Sequence, residues 1–276
     1  MCHPISIMDV VCSTLKKLQI DTLILSCDQY SDLWDGFFFQ FEKFYPRRGK
    51  VFFGCNELTP SNFFGREVSV IHSGKDIGWE SSFRNILNQI DSEYLQITLE
   101  DLYLSSPVNE AVLNEVENLI EAGIKVNHVK CTNTIKGRKQ VGTYLSEIEQ
   151  RTPYRVTLCG IWNREYLLNL LREGESPWDF EVYGSSRSKN DDGFYAINTS
   201  ILSNINMVEK GLWITSALKW AVKNQIPVTP YSRKSKTQFQ EIVSIMRNTY
   251  FNLMIRAPLA FRMKIYLFVK KYLIIH

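Results

Sequence analysis

The chain has 276 residues, 32 Lys and Arg against 29 Asp and Glu, 45% hydrophobic residues and 13% aromatic ones. That length and apolar content suffice for a buried core without disulfides or a structural metal. A formal charge of +3, with the bases scattered rather than striped, excludes an extended nucleic-acid footprint, so no nucleic-acid partner is expected.

In chain order, the apolar run 21–28 reads as a strand ending in an acid, and the aromatic segment after it has helical spacing up to Pro46. Residues 50–56 and 66–74 read as strands, 78–90 as a helix, and 93–101 as a buried strand ending in two acids. A helix over 108–123, closed by Gly123, and a strand over 125–131 continue the alternation. Residues 131–153 are polar, with Lys136, Arg138 and Lys139 near Gly137 and Gly142, and read as a mobile loop. A strand over 154–162, a helix over 163–174, a loop containing SPWDFE, a short strand over 194–200 and an apolar segment over 211–226 follow. Alternating strands and helices predict an α/β fold: a mostly parallel sheet covered by helices.

Six cysteines (Cys2, Cys12, Cys27, Cys55, Cys131, Cys159) include no CxxC and read as reduced core residues. The four histidines (His3, His72, His128, His276) lack HxxxH or HxH spacing, so a metal would be held by carboxylates. The first twenty residues carry Asp9, Lys16 and Lys17 but no signal-peptide apolar region, and a cytoplasmic location is expected.

Ligands of such sheets bind beyond the carboxyl ends of the strands. The acids placed there are Asp28, after the first strand, and Glu100 and Asp101, after the strand near residue 100. Two adjacent carboxylates are hard oxygen ligands suited to a Mg²⁺ or Mn²⁺ that neutralises a diphosphate. Because successive strand residues point opposite ways, one of them, Asp101, is expected to touch the metal unless the chain turns. The competing expectation is that the pair caps the helix beginning near Pro107.

The segments TLILSCDQYSDLWDGFFFQFEKFYP, YLQITLEDLYL and YLLNLLREGESPWDFE resemble a family of bacterial proteins found with polysaccharide-synthesis genes and regarded as glycosyltransferases. The helix, strand and acidic-pair order also resembles GT-A nucleotide-sugar transferases, whose short acidic motif holds a divalent ion and the donor diphosphate. Here the motif is Glu100-Asp101, and Tyr103 stands where Asp-x-Asp would place its second acid. The resemblance covers roughly residues 21–230. It implies a UDP- or GDP-sugar donor, a surface glycan or lipid-linked glycan acceptor, and a nucleoside contact at Asp28 and Asp32. For that turn, capping of the following helix by Ser31 and Asp32 is the equal alternative. It further implies a base at Asp179 or Glu181, a sugar platform at Trp178, and cations for the departing diphosphate at Lys75 and Arg187.

Residues 231–276 read as a helical appendage. In its last segment Phe261, Ile265, Phe268 and Tyr272 share one helical face, while Lys264, Lys270 and Lys271 flank it. Charges interrupt every stretch long enough to span a bilayer, so the segment is expected to lie on an anionic membrane surface, at the inner face of the plasma membrane, or to dock on protein. The rival functional reading is a non-catalytic carbohydrate- or nucleotide-binding component of a polysaccharide assembly complex.

Overall fold

The structure, a computed structural model, describes residues 17–131, 135 and 137–255. The readings made for residues 1–16, for Lys136 and for 256–276 lie outside these residues. Strand β1 (Asp21–Leu25) passes through a 3-10 stretch (Asp28–Leu33) into α1 (Trp34–Phe44). Then come β2 (Val51–Cys55), β3 (Ser69–His72), α2 (Trp79–Asn88) and β4 (Tyr94–Leu99). A turn at Glu100 and Asp101 leads directly into β5 (Leu102–Leu104), ahead of α3 (Glu110–Glu121) and β6 (His128–Lys130). The middle of the chain adds β7 (Lys139–Gln140), β8 (Leu145–Glu147), β9 (Gly160–Asn163), α4 (Arg164–Leu170) and α5 (Pro177–Arg187). The last part holds β10 (Phe194–Ile197), β11 (Asn204–Asn206), β12 (Val208–Glu209), β13 (Leu212–Trp213), α6 (Thr215–Lys223) and α7 (Gln238–Ile255).

Nine strands form one sheet in the order β3-β2-β1-β4-β9-β6-β10-β8-β7. Only β8 and β9 run against the common direction, so the sheet is mostly parallel, as the alternation of elements predicts. Both faces are covered, which is why the central strands are apolar on both sides. On one face α1 and α3 bury Phe37, Phe38, Phe41, Val112 and Val116. On the other, α2, α4 and α5 bury Phe83, Ile86, Leu167 and Phe180.

Three local expectations are corrected. The polar stretch 131–153 is not simply a loop, because it contains the β7–β8 hairpin that extends the sheet. The strand expected over 154–162 is confined to β9, which pairs antiparallel with both β4 and β6. SPWDFE is not a loop: Ser176 caps α5, Pro177 opens it, and Asp179 completes a capping box.

The core also contains a buried imidazole. His128 is stacked on Trp162 at 3.8 Å and lies 3.1 Å from the Ile161 carbonyl and 3.2 Å from the Thr157 hydroxyl. Burial holds its pKa well below the ordinary histidine value, with the nearby Lys130 charge acting the same way. The unfolded chain therefore takes up a proton near pH 6.5 that the folded chain refuses. Stability from this group is present above that pH and is lost as the pH falls below it, at about 1.4 kcal/mol per pH unit. His128→Asn, which keeps a donor toward Ile161, is expected to flatten the decline in stability between pH 6.5 and pH 5, measured by denaturant titration.

Candidate functional site

The carboxyl ends of β1, β2, β4 and β6 and the amino end of antiparallel β9 share one edge of the sheet, because β9 is reversed. Cys27, Asp28, Asn56, Glu100, Asp101, Cys131 and Cys159 follow or precede those strand ends. Glu100 and Asp101 occupy a turn between β4 and β5, so strict alternation no longer separates them, and both are drawn inward. Neither caps α3, whose N-cap is Asn109.

Burial, and then the charge of Asp101, push the Glu100 carboxyl well above the usual carboxylate range. Burial pushes Asp101 up to about 6, against the opposing pull of Arg233. Among the described residues, Asp101 Oδ1 is buried without a hydrogen-bond partner. The Cys27 thiol, raised to about 11 by burial and then by the Glu100 charge, lies beside the pair. Backbone N–H groups, the Arg233 charge and, for Glu100, the Ser26 hydroxyl offset this in part, and both carboxyls stay raised, so a cation would relieve them further. No three of His, Cys, Asp and Glu among the described residues form a metal-holding group. The pair still fits Mg²⁺ or Mn²⁺, because such ions take one or two protein carboxylates and fill their other positions with phosphate oxygens and water.

Asp28 is engaged by the chain itself. Its carboxylate accepts from the backbone N–H groups of Asn56, Glu57 and Leu58 at 3.0–3.3 Å, which pins the loop after β2 to the loop after β1. Asp32 meets a residue that sequence reasoning missed. Arg233 Nε donates to its two oxygens at 3.0 and 2.8 Å, and Nη2 donates at 2.6 Å. The same guanidinium donates to the Gln29 carbonyl and lies over the Tyr30 ring at 4.3 Å. Its charge reaches both Glu100 and Asp101. A cavity of about 510 Å³, lined by Leu218 and residues 230–235, opens beside it. The readable signal was Arg233, Lys234 and Lys236 packed into four positions after two prolines.

The segment carrying Arg233 crosses α1 closely. A Cβ on Gly36 would sit 2.5 Å from the Tyr103 hydroxyl and 2.8 Å from the Pro227 carbonyl. Tyr103, which stands where a second motif acid would be, is fully buried and donates to the Leu33 carbonyl at 2.7 Å.

Glu181 reaches the same edge from α5. Its Oε1 accepts from Leu158 N at 2.9 Å, just before β9. Burial raises its carboxyl, with the Leu158 N–H and the Lys130 charge opposing. Lys130 is itself lowered to about 8 by burial and donates to the Tyr154 carbonyl at 2.8 Å. The charges of Glu181 and Asp101 both act on the buried Cys159 thiol, which ties the two acids to one neighbourhood. Asp179, by contrast, is spent on Ser176, whose hydroxyl and N–H it accepts at 2.8 and 3.4 Å. Trp178 is 74% exposed at the start of α5. Arg187 is committed to Glu175 and to the Leu170 carbonyl. Lys75 is exposed in the loop after β3, whose Asp76 charge reaches Cys27.

No protein-family model and no curated protein sequence matches the chain. Among solved structures it is similar to S. aureus TarS, with a TM-score of 0.41 and 13% identity over 66% of this chain and 37% of that one. TarS 1–349 in complex with UDP-GlcNAc gives 0.41 and 12% over 65% of this chain and 58% of that one. A197 from STIV gives 0.39 and 13% over 80% and 98%. The chain thus spans 37% of the longer TarS structure.

Proposed function

We propose that the chain is a nucleotide-sugar-dependent glycosyltransferase whose donor diphosphate sits against Glu100, Asp101 and Arg233. The observation that carries this reading is the buried acid pair with an unpartnered Asp101 oxygen, at the strand edge where α/β sheets take their ligands. A bound Mg²⁺ or Mn²⁺ would supply neutralisation of the diphosphate. Asp101, with Glu100, would hold it.

Arg233 stabilises the negative charge that the departing nucleoside diphosphate acquires, and Asp32 and Tyr30 fix the plane of its guanidinium. Glu181, rather than Asp179, takes the proton of the acceptor hydroxyl. Its raised affinity for a proton suits a base, whereas Asp179 is occupied in the capping box. The acceptor class is a surface polysaccharide or a lipid-linked oligosaccharide, as the resemblance implies.

A thermal-shift screen of UDP- and GDP-sugars, with and without Mn²⁺, tests the reading. One donor is expected to stabilise the fold by about 2.7 kcal/mol at a hundredfold excess over its Kd. Arg233→Met is expected to weaken that donor about tenfold or more, since charge-assisted hydrogen bonds are worth about 1.5–3 kcal/mol. Silence from every nucleotide sugar in both conditions overturns the proposal. A donor that binds and is never hydrolysed or transferred, even with acceptor supplied, returns the chain to a binding component.

A further inference from the structure

Helix α7 is held to the body by polar contacts. Glu241 accepts from Ser216 N at 3.1 Å, the Ser244 hydroxyl meets Lys236 Nζ at 2.8 Å, and Arg247 pairs with Glu209. At about 100° per residue, Phe239, Ile242, Val243 and Met246 fall within one narrow arc, away from Glu241 and Ser244. Their exposures are 74%, 55%, 44% and 66%. A helix on a protein surface ordinarily turns its apolar stripe inward, so this one is inverted.

We propose that this outward row docks on an anionic lipid bilayer. The chain beyond α7 supplies the complementary charge: residues 256–276 contain Arg256, Arg262, Lys264, Lys270 and Lys271 and no acid. An exposed apolar row on a chain that goes on with five cations and no acid in residues 256–276 has the two kinds of group that acyl chains and anionic headgroups bind. No helix among the described residues is long and apolar enough to cross a membrane. The row lies upstream of the segment that the sequence singles out, and it stands whether or not the acid cleft transfers sugar.

The experiment is co-sedimentation of the full chain, without donor, with phosphatidylglycerol-containing and with pure phosphatidylcholine vesicles. The wild type is expected to bind the anionic vesicles and to release them as salt is raised. The exposed double variant Ile242→Ser, Met246→Ser is expected to lose about tenfold or more of that binding at an unchanged melting temperature. Ile77→Ser, at an exposed position off the row, is expected to bind as the wild type does. Equal binding by the double variant, or no binding by the wild type, overturns the proposal. A wild-type dimer in light scattering that the double variant dissociates also overturns it, in favour of a second copy of the chain.

Discussion

Asp101→Asn is expected to cut sugar transfer by two to three orders of magnitude, on the order of what one lost transition-state charge contact costs, and, in the same protein, to raise the melting temperature at neutral and higher pH. The two effects have one cause. The carboxylate is buried, its Oδ1 has no partner among the described residues, and its pKa is lifted to about 6. Its folded-state pKa exceeds the unfolded value of about 3.9, so the folded chain binds the proton more tightly. The sign follows: this group destabilises the fold increasingly as pH rises from about 4 to about 6, and fully above that. Asparagine removes the charge at nearly constant shape, and a gain of about 1–3 kcal/mol is expected at pH 8. The gain should shrink toward zero near pH 4, where the wild-type carboxyl is already protonated. Loss of the carboxylate that would hold the diphosphate's cation is expected to lower turnover about 10²–10³-fold. Melting curves at the two pH values and a donor-hydrolysis assay read both halves. A folded Asn variant with full transfer would remove the acid pair from the chemistry.

Arg48→Ala is expected to cost about 3–5 kcal/mol of stability, because it strands a fully buried carboxylate. Glu117 of α3 accepts from Arg48 Nη2 on both oxygens at 2.5 Å and from Ile20 N at 2.9 Å, and it is inaccessible to water. The pair clamps the residue before β1 and the segment before β2 to α3. The double variant Arg48→Met, Glu117→Leu is expected to recover most of the loss, leaving chiefly the Ile20 N–H without its acceptor. Chemical denaturation of the three proteins decides this, and an undiminished double-variant deficit would mean that the pair does more than neutralise itself. The clamp lies at the amino end of the sheet, opposite the acid cleft. Donor affinity of the folded variants should therefore match the wild type.

What the sequence revealed, and what it hid, follow from how local each signal is. The helices α1, α2, α3 and α4 and the strands β1, β2 and β4 announce themselves by periodicity and by the acid that ends each of β1 and β4. Strands of two to four residues such as β7, β8 and β9 have too few positions to show a period, and the reversed direction of β9 is settled by partners far away in sequence. The start of α5 was legible and misread: Ser176, Pro177 and Asp179 are the cap, first-turn proline and capping-box acid of a helix. The acid pair could be picked out because its signal is contiguous. Arg233 stood in a readable cluster with Lys234 and Lys236, but which of the three turns to the acids is settled by Asp32, 201 residues away. Glu181 and Asp179 are equivalent as letters, and only burial against Leu158 and Lys130 separates them.

The reversed strand in the middle of the sheet governs the order in which the molecule can be built on the ribosome. β1, β2, β3 and β4 are complete once residue 99 has emerged, and every pairing of β1, β2 and β3 lies within this group, whereas β4 still lacks β9 on its other side. β6 emerges thirty residues later but has no place beside β4, because residues 160–163 must fill the gap between them. The nascent chain therefore carries a finished half-sheet with a bare edge until the four residues of β9 arrive. During that interval the edge of β4 is the place where a chaperone, or a wrong strand, would attach.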